Sequence, residues 1–263
     1  MSTFDWNAIE WHYINLASRP DRDAHARAEF AKAGLTAQRF EAFTPTQWRG
    51  TPEQIARMLS VRQGGTPGAI GCYHSQTEVI RTVIDTDRIV GVCEDDICFC
   101  ADMPKRLAYI AEHLTWDWDI VYLGATFHVP GEWYKHPDCR DWGAIGKDVE
   151  PTDDKHIMRV YGEWGTYGYL VNGRNARKVF EMFEANLHRA RGIDHLAIIL
   201  GDRLNAFAFV PGCCWQYDNL SNIGPAGHVT RFSHFKTLGP YVWTEHMDEF
   251  DPAGFDWEKG LTK

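Results

Sequence analysis

Residues 89–93 (Ile-Val-Gly-Val-Cys) form an unbroken apolar run that stops at three consecutive acids, Glu94, Asp95 and Asp96. Ile97 and Phe99 resume the apolar pattern directly afterwards. A run of this kind, extended over 88–93, reads as a strand buried on both faces, which requires a sheet covered by helices. The acids then fall where that strand leaves the sheet. Three carboxylates packed this closely repel one another, and burial makes their ionised forms costlier. Water, an arginine, raised pKa values or a cation has to compensate. Hard divalent ions such as Mg²⁺ and Mn²⁺ take oxygen ligands and bridge carboxylates to substrate phosphates. If the segment stays extended, Glu94 and Asp96 share one face and Asp95 takes the other. The bland alternative is a solvated acidic turn.

The rest of the chain alternates in the same manner. Strands are predicted over 12–16, 38–43, 88–93, 119–123, 166–171 and 206–210. Helices are predicted from about 20 to 33, and over 52–61, 70–84, 104–114, 173–187 and 194–200. In the first helix Ser18 is the expected cap, Pro20 suits the first turn, Asp21 favours the positive end of the dipole, and Gly34 ends it. Residues 63–71 are glycine-rich and are read as a loop, and 124–165 as a long irregular connection. The alternation predicts an α/β fold with a mixed, mainly parallel sheet and helices on both faces, whose ligand site lies beyond the carboxyl ends of the strands.

With 263 residues, 44% of them hydrophobic, the chain is expected to form one domain over 1–263, with a loop-rich tail over 213–263. No apolar run reaches the length of a membrane span, and the first residues lack a signal-peptide layout, so a cytoplasmic location is expected. The net charge of −9 makes nucleic acid an unlikely partner, because binding it requires neutralising phosphates. Seven cysteines without paired CxxC motifs point to reduced, buried thiols rather than to a zinc site. The eleven tryptophans fill cores in the plainest reading and stack on sugar faces in the functional one.

Several blocks, in order, resemble glycosyltransferase family 25, the lipooligosaccharide-type and collagen-galactosyltransferase-like enzymes. They are Tyr13-Ile14-Asn15-Leu16 with Arg19-Pro20-Asp21-Arg22, then Gly68-Ala69-Ile70-Gly71-Cys72-Tyr73-His74-Ser75, then Glu94-Asp95-Asp96. Weaker blocks follow at 119–124, at 165–171 with Ala176, and at Ile193-Asp194-His195. The resemblance covers roughly 12–223 and implies a GT-A fold, a nucleotide-sugar donor and a divalent metal. Gln76 stands where the family usually has histidine, Ala17 where it has an acid, and Cys93 where it has a larger aliphatic residue.

The reaction that the resemblance implies moves a hexose, galactose or glucose, from a UDP-sugar to a hydroxyl of a glycan, lipooligosaccharide or protein, with inversion. Asp96 is the first candidate for holding Mn²⁺ or Mg²⁺, together with Glu94 or Asp95. His234 is a further candidate ligand, beside His228 and His246, since the tail of such enzymes folds back over the donor. Asn15, Leu16, Arg19, Arg22 and Ser75, with Glu94 and Asp95, are expected at the donor. The alternative reading of each arginine is an exposed helix charge, and of Ser75 a hydroxyl bonded to its own helix. Asp194 is the expected general base, or an N-cap, with Glu163 as the second candidate. Trp133, Tyr134, Trp142, Trp164 and Tyr167 are candidates for shaping the acceptor site. A glycosidase using paired carboxylates, and a degenerate module that only binds sugar or nucleotide, are the competing readings.

Overall fold

The computed structural model describes residues 4–60, 66–115, 117–126, 149–186, 193, 201–216, 219–220, 229–230 and 246–249. Its centre is an eight-stranded sheet in the order β2-β1-β3-β8-β5-β9-β7-β6. The strands are β1 (Glu10–Asn15), β2 (Ala37–Glu41), β3 (Ile89–Glu94), β5 (Ile120–Thr126), β6 (Val149–Pro151), β7 (Ile157–Val160), β8 (Trp164–Asn172) and β9 (Ala206–Phe209). A short strand β4 (Ile97–Phe99) pairs outside this sheet with β10 (Cys214–Gln216). A separate pair joins β11 (Asn219–Leu220) to β12 (Val229–Thr230).

The sheet is mixed. Strands β2, β1 and β3 run parallel, as do β5 and β9. Strand β8 lies antiparallel between β3 and β5 and fuses the two parallel groups. Strands β7 and β6 close the far edge in antiparallel register. These two short strands fall inside the stretch expected to be irregular over 124–165. Their few residues carry no alternation long enough to separate them from a loop.

Helices cover both faces, as expected. On one face lie α3 (Pro67–Arg81), α5 (Ala176–Asn186) and, through Met58, α2 (Pro52–Ser60). On the other lie α1 (Pro20–Lys32) and α4 (Met103–His113). In α1, Arg22, Ala26 and Phe30 recur every fourth position and are the buried face. Phe30 packs edge-on against Trp11 and Phe99, and its truncation to alanine would cost about 3–5 kcal/mol. Asp21 and Asp23 sit at the positive end of this helix and Lys32 at the other, and Gly34 ends it at φ 69°. The N-cap is Arg19 and not Ser18, and its side chain makes no capping bond.

Helix α3 begins earlier than predicted. Thr66 caps it by accepting from the Ala69 N–H at 3.1 Å, and Pro67 takes the first position. Gly68, read as a loop residue, is therefore helical. Gly71 is required by close packing, since a Cβ there would lie 2.6 Å from the Phe43 carbonyl oxygen. No helix among the described residues is long and apolar enough to cross a membrane.

Candidate functional site

Strands β1 and β3 are parallel neighbours, with Ile14 opposite Glu94, so their carboxyl ends open on the same edge of the sheet. Asn15 closes β1 and Glu94 closes β3. Asp95 and Asp96 then form the turn that leads into β4. The triplet is therefore not extended, and the alternation expected of it fails. Asp95 and Asp96 both meet Arg22, and Glu94 points to other partners.

Arg22 is buried near the start of α1. One of its terminal nitrogens donates to Asp95 Oδ1 at 2.7 Å, and the other lies 3.3 Å from Asp96 Oδ2. Asn15 Nδ2 donates to Asp95 Oδ2 at 2.8 Å and to the Arg19 carbonyl at 3.0 Å. Arg39 Nε in turn donates to Asn15 Oδ1 at 2.8 Å. The arginine proposed as compensation for the crowded acids is thus Arg22, from the turn after the first strand. Its guanidinium, expected at a phosphate, is committed to carboxylates.

Glu94 is held by two neutral donors. Gln216 Nε2 donates to its Oε2 at 2.7 Å, and the Cys72 thiol to its Oε1 at 3.6 Å. Burial pushes the Glu94 carboxyl up to about 8, and the charges of Asp96 and Asp95 add to the effect. Gln216 arrives on β10, whose register places it opposite Ile97 of β4. That ribbon is tightly anchored. Cys213 N–H donates to Leu123 O at 2.6 Å, Cys100 N–H to Cys213 O at 3.0 Å, and the buried Arg106 to Pro211 O at 3.0 Å. Gly124 lets β10 press on β5, since a Cβ there would meet the Cys214 carbonyl oxygen at 2.1 Å.

The remaining candidates are placed as follows. Arg19 pairs with Asp21 at the surface end of α1 at 2.6 Å, and Leu16 is half-buried against the core. Ser75 is fully buried, donates to Gly71 O at 2.6 Å and accepts from Phe43 N–H at 2.8 Å. Its hydroxyl has two protein partners, as in the alternative reading of a hydroxyl bonded to its own helix, and fixes the β2–α2 connection to α3. Glu163 is completely buried just before β8, where its charge adds to the rise in the Tyr169 phenol's pKa that burial chiefly causes, and it does not lie on an open face. Tyr167 is buried in the core. His246 is exposed beside a turn fastened to α4, where Met247 N–H donates to Asp102 at 2.7 Å. Asp194, His195, His228, His234, Trp133, Tyr134 and Trp142 lie outside the described residues, as does the Trp164 side chain.

Cys72, Gln76, Tyr169, Thr166 and Gln216 went unmarked as site residues in the sequence, although Gln76 stood out as a departure from the family pattern. Among the described residues no group of three or more His, Cys, Asp or Glu side chains is arranged to hold a metal ion. The donor chemistry at the β3 end nevertheless suits a hard divalent cation. All three side chains offer oxygen, and such ions complete their shells with substrate phosphates and water.

The model of glycosyltransferase family 25, described as an LPS biosynthesis protein family, matches residues 8–195. No curated protein matches the chain. Among solved structures, the galactosyltransferase LgtC in complex with donor and acceptor sugar analogs is 10% identical, with a TM-score of 0.41 over 76% of this chain and 73% of that one. Mouse xyloside xylosyltransferase 1, in its apo form, is 9% identical, with a TM-score of 0.42 over 77% of this chain and 72% of that one. The apo glycosyltransferase GlyE of Streptococcus pneumoniae is 10% identical, with a TM-score of 0.35 over 75% of this chain and 44% of that one.

Proposed function

The chain belongs to glycosyltransferase family 25, and from that premise we propose that the β3 end is the donor site of a metal-dependent hexosyl transfer from a UDP-sugar. The observation that supports this reading is the charge imbalance there. Among the described residues the Arg22 guanidinium serves Asp95 and Asp96, while Glu94 accepts from a thiol and an amide. Net negative charge in a buried position is costly unless a cation answers it.

Asp96 and Glu94 would hold Mn²⁺ or Mg²⁺, with His234 as a further candidate ligand. Once bound, such an ion supplies Lewis-acid neutralisation of a departing diphosphate. Arg22 keeps Asp95 and Asp96 fixed in the turn, and Asn15 holds Asp95 against the end of β1. Arg19, beside the same edge, is the candidate for reaching phosphate. Asp194 is the candidate base for the acceptor hydroxyl, taking its proton as the sugar carbon is attacked with inversion. Glu163 ranks behind it, because a completely buried carboxylate must first be uncovered. The acceptor class proposed is a hydroxyl of a glycan, lipooligosaccharide or protein.

The test is nucleoside diphosphate release from a panel of nucleotide sugars, with and without Mn²⁺ and an acceptor. Acceptor-dependent release of UDP that a chelator abolishes and Mn²⁺ restores is the expected result. Binding without turnover would turn the chain into a binding module, and metal-independent cleavage of a glycoside would make it a hydrolase.

A further inference from the structure

A chain of hydrogen bonds crosses from β8 through α3 to Glu94, with its donors aligned toward the carboxylate. Tyr169 Oη donates to Gln76 Oε1 at 2.8 Å. Gln76 Nε2 donates to Cys72 Sγ at 3.2 Å and to Thr166 Oγ1 at 3.3 Å. The Cys72 thiol donates to Glu94 Oε1 at 3.6 Å, and Gln216 reaches the other Glu94 oxygen. Gln76, Tyr169 and Thr166 are buried, so these bonds are shielded from competing water.

The three partners around Gln76 match what a glutamine amide offers, one acceptor oxygen and two N–H donors. An imidazole offers two ring nitrogens and cannot serve all three partners at once. With a Gln76 N–H on the sulfur, the thiol hydrogen is free to point away, toward Glu94. Gln76 itself touches neither the acids nor the open edge of the sheet.

We propose that Gln76 is a positioning residue that acts through Cys72 to hold the Glu94 carboxylate in its binding orientation. This rests on the reading of Glu94 as part of the cation and donor site. Loss of the amide leaves the thiol free to turn away, and Glu94 then keeps one of its two donors. Supporting partners of this kind typically change metal affinity by about 10–100-fold.

The experiment uses the full chain with Mn²⁺ and UDP as probes. Gln76→Met keeps the side-chain length and removes every hydrogen bond, and Cys72→Ala removes the link it acts through. Calorimetry should show Mn²⁺ binding in the presence of UDP weakened about tenfold in each variant. The donor KM should rise by a similar factor, with kcat at saturating Mn²⁺ little changed. The double variant should be no worse than either single one, because both cut the same chain. Cys72→Ser, which keeps a hydroxyl donor, should recover most of the affinity. Multiplying effects in the double variant, or unchanged Mn²⁺ affinity in a folded Gln76→Met protein, would overturn the proposal. If Gln76→Met does not fold, Tyr169→Phe, which removes only the hydroxyl on Gln76 Oε1, should give the same pattern more weakly, and full wild-type affinity there would count against it.

A second readout separates this idea from the reading beneath it. The rate of Cys72 alkylation by iodoacetamide, followed by peptide mass spectrometry, should rise severalfold in Gln76→Met without any metal or nucleotide. Failure of the wild type to bind Mn²⁺ or UDP would sink the donor site while leaving this rate to decide whether Gln76 holds Cys72. An unaltered rate would sink the positioning role even in an active transferase.

Discussion

Two of the regions where the molecule sets a half-buried or buried arginine against carboxylates are balanced differently. On the α3/α5 face, Arg49 bonds Glu78, reaches Glu184 at 2.9 Å and Thr77 Oγ1 at 2.7 Å, and lies over the Phe180 ring. Arg81 answers Glu78 as well, so two guanidiniums stand over two acids. That group fastens the β2–α2 connection to two helices and has its charges paired. At the end of β3 one guanidinium, Arg22, stands beside three acids, and that group is more deeply buried than the first. Paired charges of this kind serve packing, whereas an excess of buried carboxylates costs stability unless something answers it.

The largest expected contrast is in catalysis. Asp96→Ala should lower transfer by about a thousandfold, on the scale of losing a principal electrostatic group at the reacting centre. The same variant should unfold at or above the wild-type temperature, because it removes the main charge that raises Glu94 and leaves Arg22 paired with Asp95. A clear drop in melting temperature would make Asp96 a structural residue and erase the distinction between the regions.

Arg22→Leu should destabilise by about 3–5 kcal/mol in urea unfolding, since it leaves Asp95 and Asp96 buried without their guanidinium. If millimolar Mn²⁺ recovers part of that loss, the cation and the arginine answer the same charge. If it recovers none, the two are unrelated.

The third contrast is pH. His74 is fully buried beside Tyr73, and burial lowers its pKa to about 4, with the Arg49 charge acting in the same direction and the Arg49 backbone and Glu78 opposing. The unfolded chain therefore binds a proton here that the folded one refuses between about pH 6.5 and pH 4. Stability contributed by this site is full above that window and is lost as pH falls through it, by up to about 3 kcal/mol. Comparison of the wild type with His74→Leu across pH 4–7 checks this. Equal slopes would place the acid sensitivity elsewhere.

The smallest effect belongs to Arg49→Met, at about 1 kcal/mol, because its partners are part-exposed and Glu78 keeps Arg81. Donor KM should not move. A shift there would join the two regions functionally.

Much of the architecture was legible because long apolar runs carry their own signal. The runs behind β1, β3, β5 and β8 and the Pro20–Gly34 helix punctuation needed no tertiary knowledge. The short strands β6 and β7 were missed because three or four residues hold too little periodicity. The glycine at 71 is explained only by contact with Phe43, a partner distant in sequence. In the site, Arg22 and the acids were each visible, but their pairing was not, since it depends on α1 folding back over β3. Gln76, Cys72 and Tyr169 became meaningful only once β8 had entered between β3 and β5.

Glu94 and Gln216 are 122 positions apart, joined by a ribbon that reaches the acids only after the main sheet's last strand has been laid down. During synthesis the acidic triplet therefore emerges long before its final contact exists. A chain that ends ahead of β10 carries Glu94 without the amide that steadies it.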